Sequence, residues 1–326
     1  MDRAGALTGR SRAQQELIGA VRGFAREHLD DEQVCVAVSG GADSLALAAA
    51  AVRAGLRVTG LVVDHQLQDG SAATAAWAAR TVVGFGAQAR VLTVRPDGPG
   101  GPEAAARRAR YDALEQARDR QPVLLGHTLD DQAETVLLGL GRGSGARSLS
   151  AMTAWAAPWG RPLLRVRRET TRRACAAWGL EPWADPHNDD PRYTRVRVRH
   201  DLLPRFEEAL GGGVAQALAR TADQLRDDDA ALTEWAARVY PDAVAEDRSA
   251  AVEVLADLPV AVGTRVLRRW LTEVGATEPA SAVTRQVWAL VVDWSGQGPV
   301  AVGGDAARRL VVTRRDARLR VEPQPR

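Results

Sequence analysis

The residues best suited to chemistry lie at positions 39–44, Ser39-Gly40-Gly41-Ala42-Asp43-Ser44. Two glycines let a ligand approach the backbone closely, so that several N–H groups can point into one concavity. The apolar run Val34-Cys35-Val36-Ala37-Val38 comes just before, and an Ala/Leu-rich helix start at 45–52 comes just after. The order is therefore strand, glycine turn, helix, and the helix N-terminus adds its positive dipole end to a site suited to pyrophosphate. Ser39 and Ser44 contribute hydroxyls. Asp43 is the odd member, because a carboxylate beside phosphates is repulsive unless a divalent cation or an amine lies between them. A tight turn capped by Ser and Asp is the plain structural alternative.

Other phosphate loops are excluded. All 43 basic residues besides histidine are arginine, so no Gly-x-x-x-x-Gly-Lys-[Ser/Thr] exists, and Gly-x-Gly-x-x-Gly is absent from this turn. The hexapeptide instead resembles the Ser-Gly-Gly-x-Asp-Ser loop of the ATP pyrophosphatases, which adenylate a substrate and release pyrophosphate.

A second motif is Gly126-His127-Thr128-Leu129-Asp130-Asp131-Gln132-Ala133-Glu134-Thr135. Thr128 or Asp130 can cap a helix there, and acids in a first turn favour its dipole. Capping accounts for each acid alone but not for the set. Asp131 and Glu134 are three apart and share one helix face, while His127 sits at a strand end.

These groups need a frame. Residues 14–28 read as a leading helix, and strands at 34–38, 57–63, 89–94 and 122–126 alternate with helices at 45–52, 72–85, 103–118 and 130–140. That alternation predicts an α/β fold, one parallel sheet covered on both faces. Ligands of such sheets bind beyond the carboxyl ends of the strands, where Ser39, Asp64-His65 and His127 all fall. A further short strand is expected at 161–164, a helix at 169–179, a loop at 181–191 and a helix at 202–210. Gly139 to Gly145 reads either as a lid near the substrates or as a helix stop. Gly211-Gly212-Gly213 marks the boundary between a domain at 1–213 and a smaller one at 214–326. The latter is expected to be mainly helical, with helices at 214–240, 262–274 and 281–294 and short closing strands near 300 and 310–320.

The chain of 326 residues is long enough for this core plus a second domain. Its formal charge of +2 is unevenly distributed, since 161–205 holds 11 Arg against 6 Asp or Glu, a local net of +5 that favours an anion such as RNA. Cys35 and Cys175 form no Cys-x-x-Cys, so neither a disulfide framework nor a cysteine metal site is indicated. Nine tryptophans read as core residues more than as base-stacking platforms. No secretory signal and no membrane-length apolar run is found, so a cytoplasmic protein without membrane contact is expected.

Both motifs, together with Val63-Asp64-His65, resemble the tRNA(Ile)-lysidine synthetase family of the PP-loop superfamily. Further matches run in the family's order: Glu103 with Arg107 and Arg110-Tyr111, Arg161 to Leu164, Trp183-Ala-Asp185-Pro-His-Asn188, and Tyr193-Thr-Arg195 through Arg199-His200 to Pro204. The chain departs at Gln68, where the family usually has Arg, and at Val196, where it tends to have Asn.

The resemblance implies an adenine nucleotide alpha hydrolase-like, doubly wound sheet with a C-terminal tRNA-binding domain. It implies ATP-dependent attachment of free lysine to the wobble cytidine of a CAU-anticodon isoleucine tRNA, through an adenylated intermediate. By resemblance, Ser39, Gly40, Gly41, Ala42, Asp43 and Ser44 hold the ATP phosphates, Asp43 faces Mg2+, and Asp64, His65 and His127 lie against the nucleotide. Asp131 and Glu134 then attract the lysine ammonium and help deprotonate it, while Arg107 and Arg195 stabilise phosphoryl or tRNA charge. A homodimer is admitted but not required. The rival readings are a tRNA-thiolating PP-loop enzyme, a small-molecule amidase-type synthetase, and a noncatalytic ATP- or tRNA-binding module.

Overall fold

The computed structural model of the protein describes residues 11–66, 70–98, 101–143, 145–185, 190–277, 280–304 and 308–325. The chain separates into two compact units, one ending at Asp223 and the other starting at Gln224.

The first unit opens with helix α1 (Arg12–His28), entered through a reciprocal cap in which Gln14 N–H donates to Ser11 Oγ and Ser11 N–H to Gln14 Oε1. Then come β1 (Gln33–Val38), α2 (Ala42–Ala54), β2 (Arg57–Asp64), α3 (Ser71–Gly84), β3 (Gln88–Thr93), α4 (Pro102–Ala117), β4 (Val123–Leu124) and α5 (Leu129–Gly141). Strand β1 pairs in parallel with β2 on one side and with β4 on the other, and β2 pairs in parallel with β3. Its side chains alternate between two cores: Val34, Val36 and Val38 pack with α1, α2 and α3, and Cys35 and Ala37 with Leu114 and Ala117 of α4. Both faces are therefore covered, as an all-parallel region requires.

The sheet order is β3-β2-β1-β4-β6-β5, where β5 is Trp155–Ala156 and β6 is Trp159–Gly160. Chain order runs outward from β1 to β3 and then resumes at β4 on β1's other flank. The switch point thus lies between the carboxyl ends of β1 and β4, where such sheets bind ligands. Both motifs start at those ends.

After the short helix α6 (Ala146–Leu149) and the β5–β6 hairpin comes α7 (Arg168–Ala177). The strand expected at 161–164 is not formed. The sheet's next member is Trp159–Gly160, paired with Val123 and Leu124, and 162–165 is turn. Pro162 lacks the N–H a strand interior needs, and Leu163 is apolar because it plugs the α1–α2 core. Residues 195–199, whose Arg/Val alternation also fits a strand, are helical: α8 (Thr194–Arg197) runs into a π-helical turn, Val198–Leu202, and then α9 (Leu203–Ala209).

Helix α10 (Val214–Ala243) carries the chain across the division between units. Its first turn belongs to the first unit, where Val214 and Ala215 pack with Leu129, Ala133 and Leu203. Glu207 accepts their backbone N–H groups at 3.0 Å each.

The second unit adds β7 (Ala250–Ala251), α11 (Val252–Ala256), α12 (Val260–Glu273), α13 (Ser281–Val292), β8 (Val300–Gly304), β9 (Arg308–Arg315) and β10 (Arg318–Pro325). Its antiparallel sheet, ordered β7-β10-β9-β8, covers a core that includes Leu267, Trp270, Val287 and Leu319. This sheet is larger than the short closing strands expected, because four arginines in β9 mask the apolar pair Val311-Val312. Among the described residues no helix is long and apolar enough to cross a membrane.

Candidate active site

The loop between β1 and α2 is braced by its own hydroxyls. Ser44 Oγ accepts the Ser39 N–H at 3.1 Å and donates to Gly41 O at 3.0 Å, and Ser39 Oγ lies 3.1 Å from Ser44 Oγ. Gly40 is in the left-handed region at φ +84°, and a Cβ there would meet the Trp77 ring at 3.1 Å. Gly41 differs. It is the N-cap of α2 at φ −73° and ψ 163°, and a Cβ would touch only Ser39 Oγ, at 3.5 Å. Nothing among the described residues requires glycine at 41, so the bare backbone there fits a cradle for phosphate. Trp183 N–H donates to Gly40 O at 3.0 Å, which draws the Trp183-Ala-Asp185 segment onto this loop.

Helix α5 starts at N-cap Thr128, whose N–H and hydroxyl both donate to Asp131 Oδ2 at 2.8 Å. The other Asp131 oxygen, Oδ1, faces Arg168 Nη2 at 2.6 Å. The same guanidinium donates from Nη1 to Glu134 Oε1 at 3.0 Å and from Nε to Asp43 Oδ2 at 3.3 Å. Asp43 Oδ1 also accepts from the buried Thr171 hydroxyl. Arg199 donates to both Glu134 oxygens, at 2.8 and 3.2 Å, and Arg195 Nε lies 3.7 Å from Glu134 Oε2. Three carboxylates and three arginines thus form one charge-balanced cluster, with Glu134 wholly enclosed.

Burial pushes the Asp43 carboxyl above its usual range; Thr171 and Arg168 oppose the rise, and Asp131 adds to it. Burial also acts to raise Asp131, but Arg168, the two Thr128 hydrogen bonds and His127 outweigh it and hold that carboxyl below its usual range. Asp131 is therefore a firm anion and a weak base. It suits holding an ammonium better than taking its proton.

Asp64, at the end of β2, is buried and accepts the Gln66 N–H at 3.0 Å. His65 is held below the usual imidazole range by burial and by Arg110. His127 is pushed down to about 4, by burial first and then by Arg161, Arg110 and Arg107 against the opposing Asp131. Both rings are neutral near pH 7. Each leaves its Nδ1 buried with no hydrogen-bond partner among the described residues. A buried, orphaned ring nitrogen is the observation expected where a ligand completes the site. Arg107 does not join the carboxylate cluster; it lies over the Tyr111 ring, 5.0 Å from the centroid.

Of the residues singled out in the sequence, the fold brings Asp43, Asp131, Glu134 and Arg195 into one cluster, with His127 against it and the loop Ser39 to Ser44 beside it. Three participants were not singled out: Arg168, Arg199 as a partner of Glu134, and Thr171. Three acids carried to neighbouring strand ends must be neutralised if buried, so a cation was called for. The eleven arginines of 161–205 hid which one. Asp130 supports the cluster from behind, since its Oδ2 accepts the Arg168 backbone N–H at 2.7 Å and its Oδ1 pairs with Arg167 at 3.1 Å. Arg192 pairs with Asp190 and Arg197 Nη2 donates to Thr194 Oγ1, so the basic run splits between site and surface. Leu67, Gln68, Ser144 and Pro186 to Asn188 lie outside the described residues, as does the side chain of Glu103. Both thiols are buried and held protonated, Cys35 raised to about 11 by burial and Asp119, and Cys175 to about 12 by burial and Asp43.

Comparison with known proteins places these features. A PP-loop domain model matches residues 13–206, and a TilS substrate binding domain model matches residues 251–319. The tRNA(Ile)-lysidine synthase of Rhodococcus erythropolis is 55% identical over 302 residues, covering 92% of this chain and 93% of that protein. The tRNA(Ile)-lysidine synthase of Nocardia farcinica is 55% identical over 311 residues, covering 94% and 98%. Among solved structures, the U34-tRNA thiolase NcsA from Methanococcus maripaludis superposes with a TM-score of 0.54 at 16% identity, over 65% of this chain and 79% of that one. That likeness concerns the fold.

Proposed function

Because the chain belongs to the tRNA(Ile)-lysidine synthase family, with an ATP-binding PP-loop domain and a tRNA substrate, we propose that it joins free lysine to the wobble cytidine of a CAU-anticodon isoleucine tRNA. ATP is consumed to AMP and pyrophosphate. A cytosine carbonyl oxygen is a poor leaving group, so it first attacks the α-phosphorus and displaces pyrophosphate. The lysine ε-amine then attacks C2, AMP departs, and the product reads AUA in place of AUG.

The chain's own residues take the following parts in this reading. The backbone from Ser39 to Ser44, with Gly41 bare toward solvent, holds the phosphates. Asp43 would hold Mg2+, a hard cation that needs few protein carboxylates, and a bound ion would supply positive charge against the departing pyrophosphate. Neutral His127 and His65 offer hydrogen bonds to the nucleotide through ring nitrogens that have no partner among the described residues, and Asp64 holds the turn beside them. Asp131 and Glu134 together attract the lysine ammonium and help it lose its proton as the C–N bond forms. Arg195 and Arg107 face developing phosphoryl or tRNA charge. The first unit is the catalytic one and the second binds tRNA.

The observation that carries this reading is the meeting of Asp43 from the phosphate loop with Asp131 and Glu134 within reach of one guanidinium. An activation site and an amine site are thereby adjacent. Incubation with radiolabelled lysine, ATP, Mg2+ and a CAU-anticodon tRNA, followed by nucleoside analysis, tests it. Label in a modified cytidine is expected. Pyrophosphate release without lysine incorporation would defeat it.

A further inference from the structure

We propose that Arg168 is a positioning residue that couples the two half-sites, holding the phosphate loop and the amine-binding carboxylates as one unit. The inference rests on the reading above and extends it to a side chain that need touch neither substrate. Each of its three nitrogens is committed to a different carboxylate: Nε to Asp43, Nη2 to Asp131 and Nη1 to Glu134. Among the described residues no other cation reaches Asp43. Of the three site carboxylates, Arg199 spans Asp131 and Glu134 and Arg195 reaches Glu134 alone.

Arg168 is itself held at both ends. Its backbone N–H at the start of α7 donates to Asp130 of α5, and the neighbouring Arg167 side chain pairs with the same carboxylate. Its side chain is 12% exposed. Thr171, one turn further along α7, donates to Asp43. Helix α7 thus fixes the phosphate-loop acid while helix α5 fixes α7.

The planar fork makes this role specific to arginine. A lysine ammonium is a point charge on a flexible stem and does not present three donors in fixed directions to three acids. Without the fork, Asp43 loses its link to the pair, and three carboxylates with mutual repulsion adjust independently. Both half-reactions then suffer although the residue belongs to neither. A residue serving only one half-site would impair only one.

The test uses the full chain with Arg168→Ala and Arg168→Lys, measuring pyrophosphate release on CAU-anticodon tRNA without lysine, and the KM for lysine in the complete reaction. Arg168→Ala is expected to slow adenylation about 100-fold through misplaced loop geometry and to raise the lysine KM about tenfold. Free guanidinium, at concentrations far below those that unfold proteins, should restore both together. Arg168→Lys should fall between the wild type and Arg168→Ala on both measures. Wild-type values for both variants overturn the proposal. So does impairment of one measure alone, or a folded Arg168→Ala protein that guanidinium does not restore. If Arg168→Ala fails to fold, Arg168→Lys decides: impairment of both measures supports the proposal, and anything less overturns it. A wild-type chain that releases no pyrophosphate with this tRNA would instead refute the functional reading.

Discussion

The two glycines of the phosphate loop should separate stability from ligand binding. Gly40 is left-handed at φ +84°, and its Cβ position lies 3.1 Å from the Trp77 ring. Placing an L-residue there costs about 1–2 kcal/mol from the backbone alone, and the ring must also give way. For a unit of this size each kcal/mol lowers Tm by about 2–4 °C, so Gly40→Ala should melt several degrees below the wild type. Gly41 has φ −73°, which any residue adopts, and its nearest neighbour to a Cβ is a hydroxyl at 3.5 Å. Gly41→Ala should therefore cost no more than the N-cap difference between Gly and Ala, about 0.5–1 kcal/mol. Its effect should appear in ATP binding, because the methyl stands where phosphate meets backbone. Loss of one N–H hydrogen bond to a charged oxygen, about 1.5–3 kcal/mol, weakens affinity roughly 10- to 100-fold, and Gly41→Val should do more. Differential scanning calorimetry and titration with Mg-ATP on both variants decide the matter. If Gly41→Ala binds Mg-ATP as the wild type does, the loop is only a turn and cradles no phosphate.

Asp131→Asn should still release pyrophosphate but transfer lysine poorly, with a lysine KM raised about tenfold or more and partial recovery at high lysine; loss of both steps would move Asp131 to the nucleotide site. His127, pushed down from 6.5 to about 4, binds its proton more readily in the unfolded chain, so it contributes stability above pH 6.5 that is lost as pH falls towards 4, on the order of 3 kcal/mol. Urea melts of His127→Asn should show a shallower acid dependence than the wild type, and parallel curves would contradict the neutral buried ring. Arg192 and Arg197 are exposed and pair with none of the three site carboxylates, and replacing both should flatten the salt dependence of tRNA binding by up to about two counterions while leaving Mg-ATP affinity unchanged. An unaltered slope would assign tRNA contact to the second unit. A fragment ending at Asp223, which keeps the Val214 and Ala215 packing, should bind Mg-ATP yet lose discrimination among tRNAs, and retained selectivity would remove the second unit from recognition.

The parallel sheet was legible because its signals are local. Short apolar runs ending in Gly, Asp-His or Gly-His sit at regular spacing, and the alternation of strand and helix leaves one architecture. The hairpin at Trp155–Ala156 and Trp159–Gly160 was not legible. Two-residue strands carry no periodicity, and the apolar residues that drew attention, Leu163 and Leu164, are buried in turn conformation. At 195–199 the pattern itself was ambiguous. Every second residue is arginine, which fits a strand with its charges outward, yet positions 195 and 199 are also four apart and share a helix face. The helix is realised, with Val196 and Val198 buried and Arg195 and Arg199 turned together toward Glu134. The periods of two and four coincide over so short a run, and burial of an acid on a distant helix chooses between them.

The same logic explains why the acids of the site were legible and their cations were not. Asp43, Asp131 and Glu134 stand in motifs whose neighbours announce a loop or a helix start, so their position relative to the sheet follows from local pattern. Arg168 is placed by partners 125, 37 and 34 residues away, and only the strand order β1-β4 brings those partners to one point. Nothing beside Arg168 in sequence distinguishes it from Arg165, which is exposed and 3.8 Å from Asp223. What distinguishes it is the Asp130 carboxylate under the first N–H of α7, a cap supplied from another helix. In a chain whose cations are all one residue type, the sequence cannot label which arginine is structural, which is a partner of the site and which meets RNA. The buried carboxylates make that assignment, because each must find a donor before the fold can close over it.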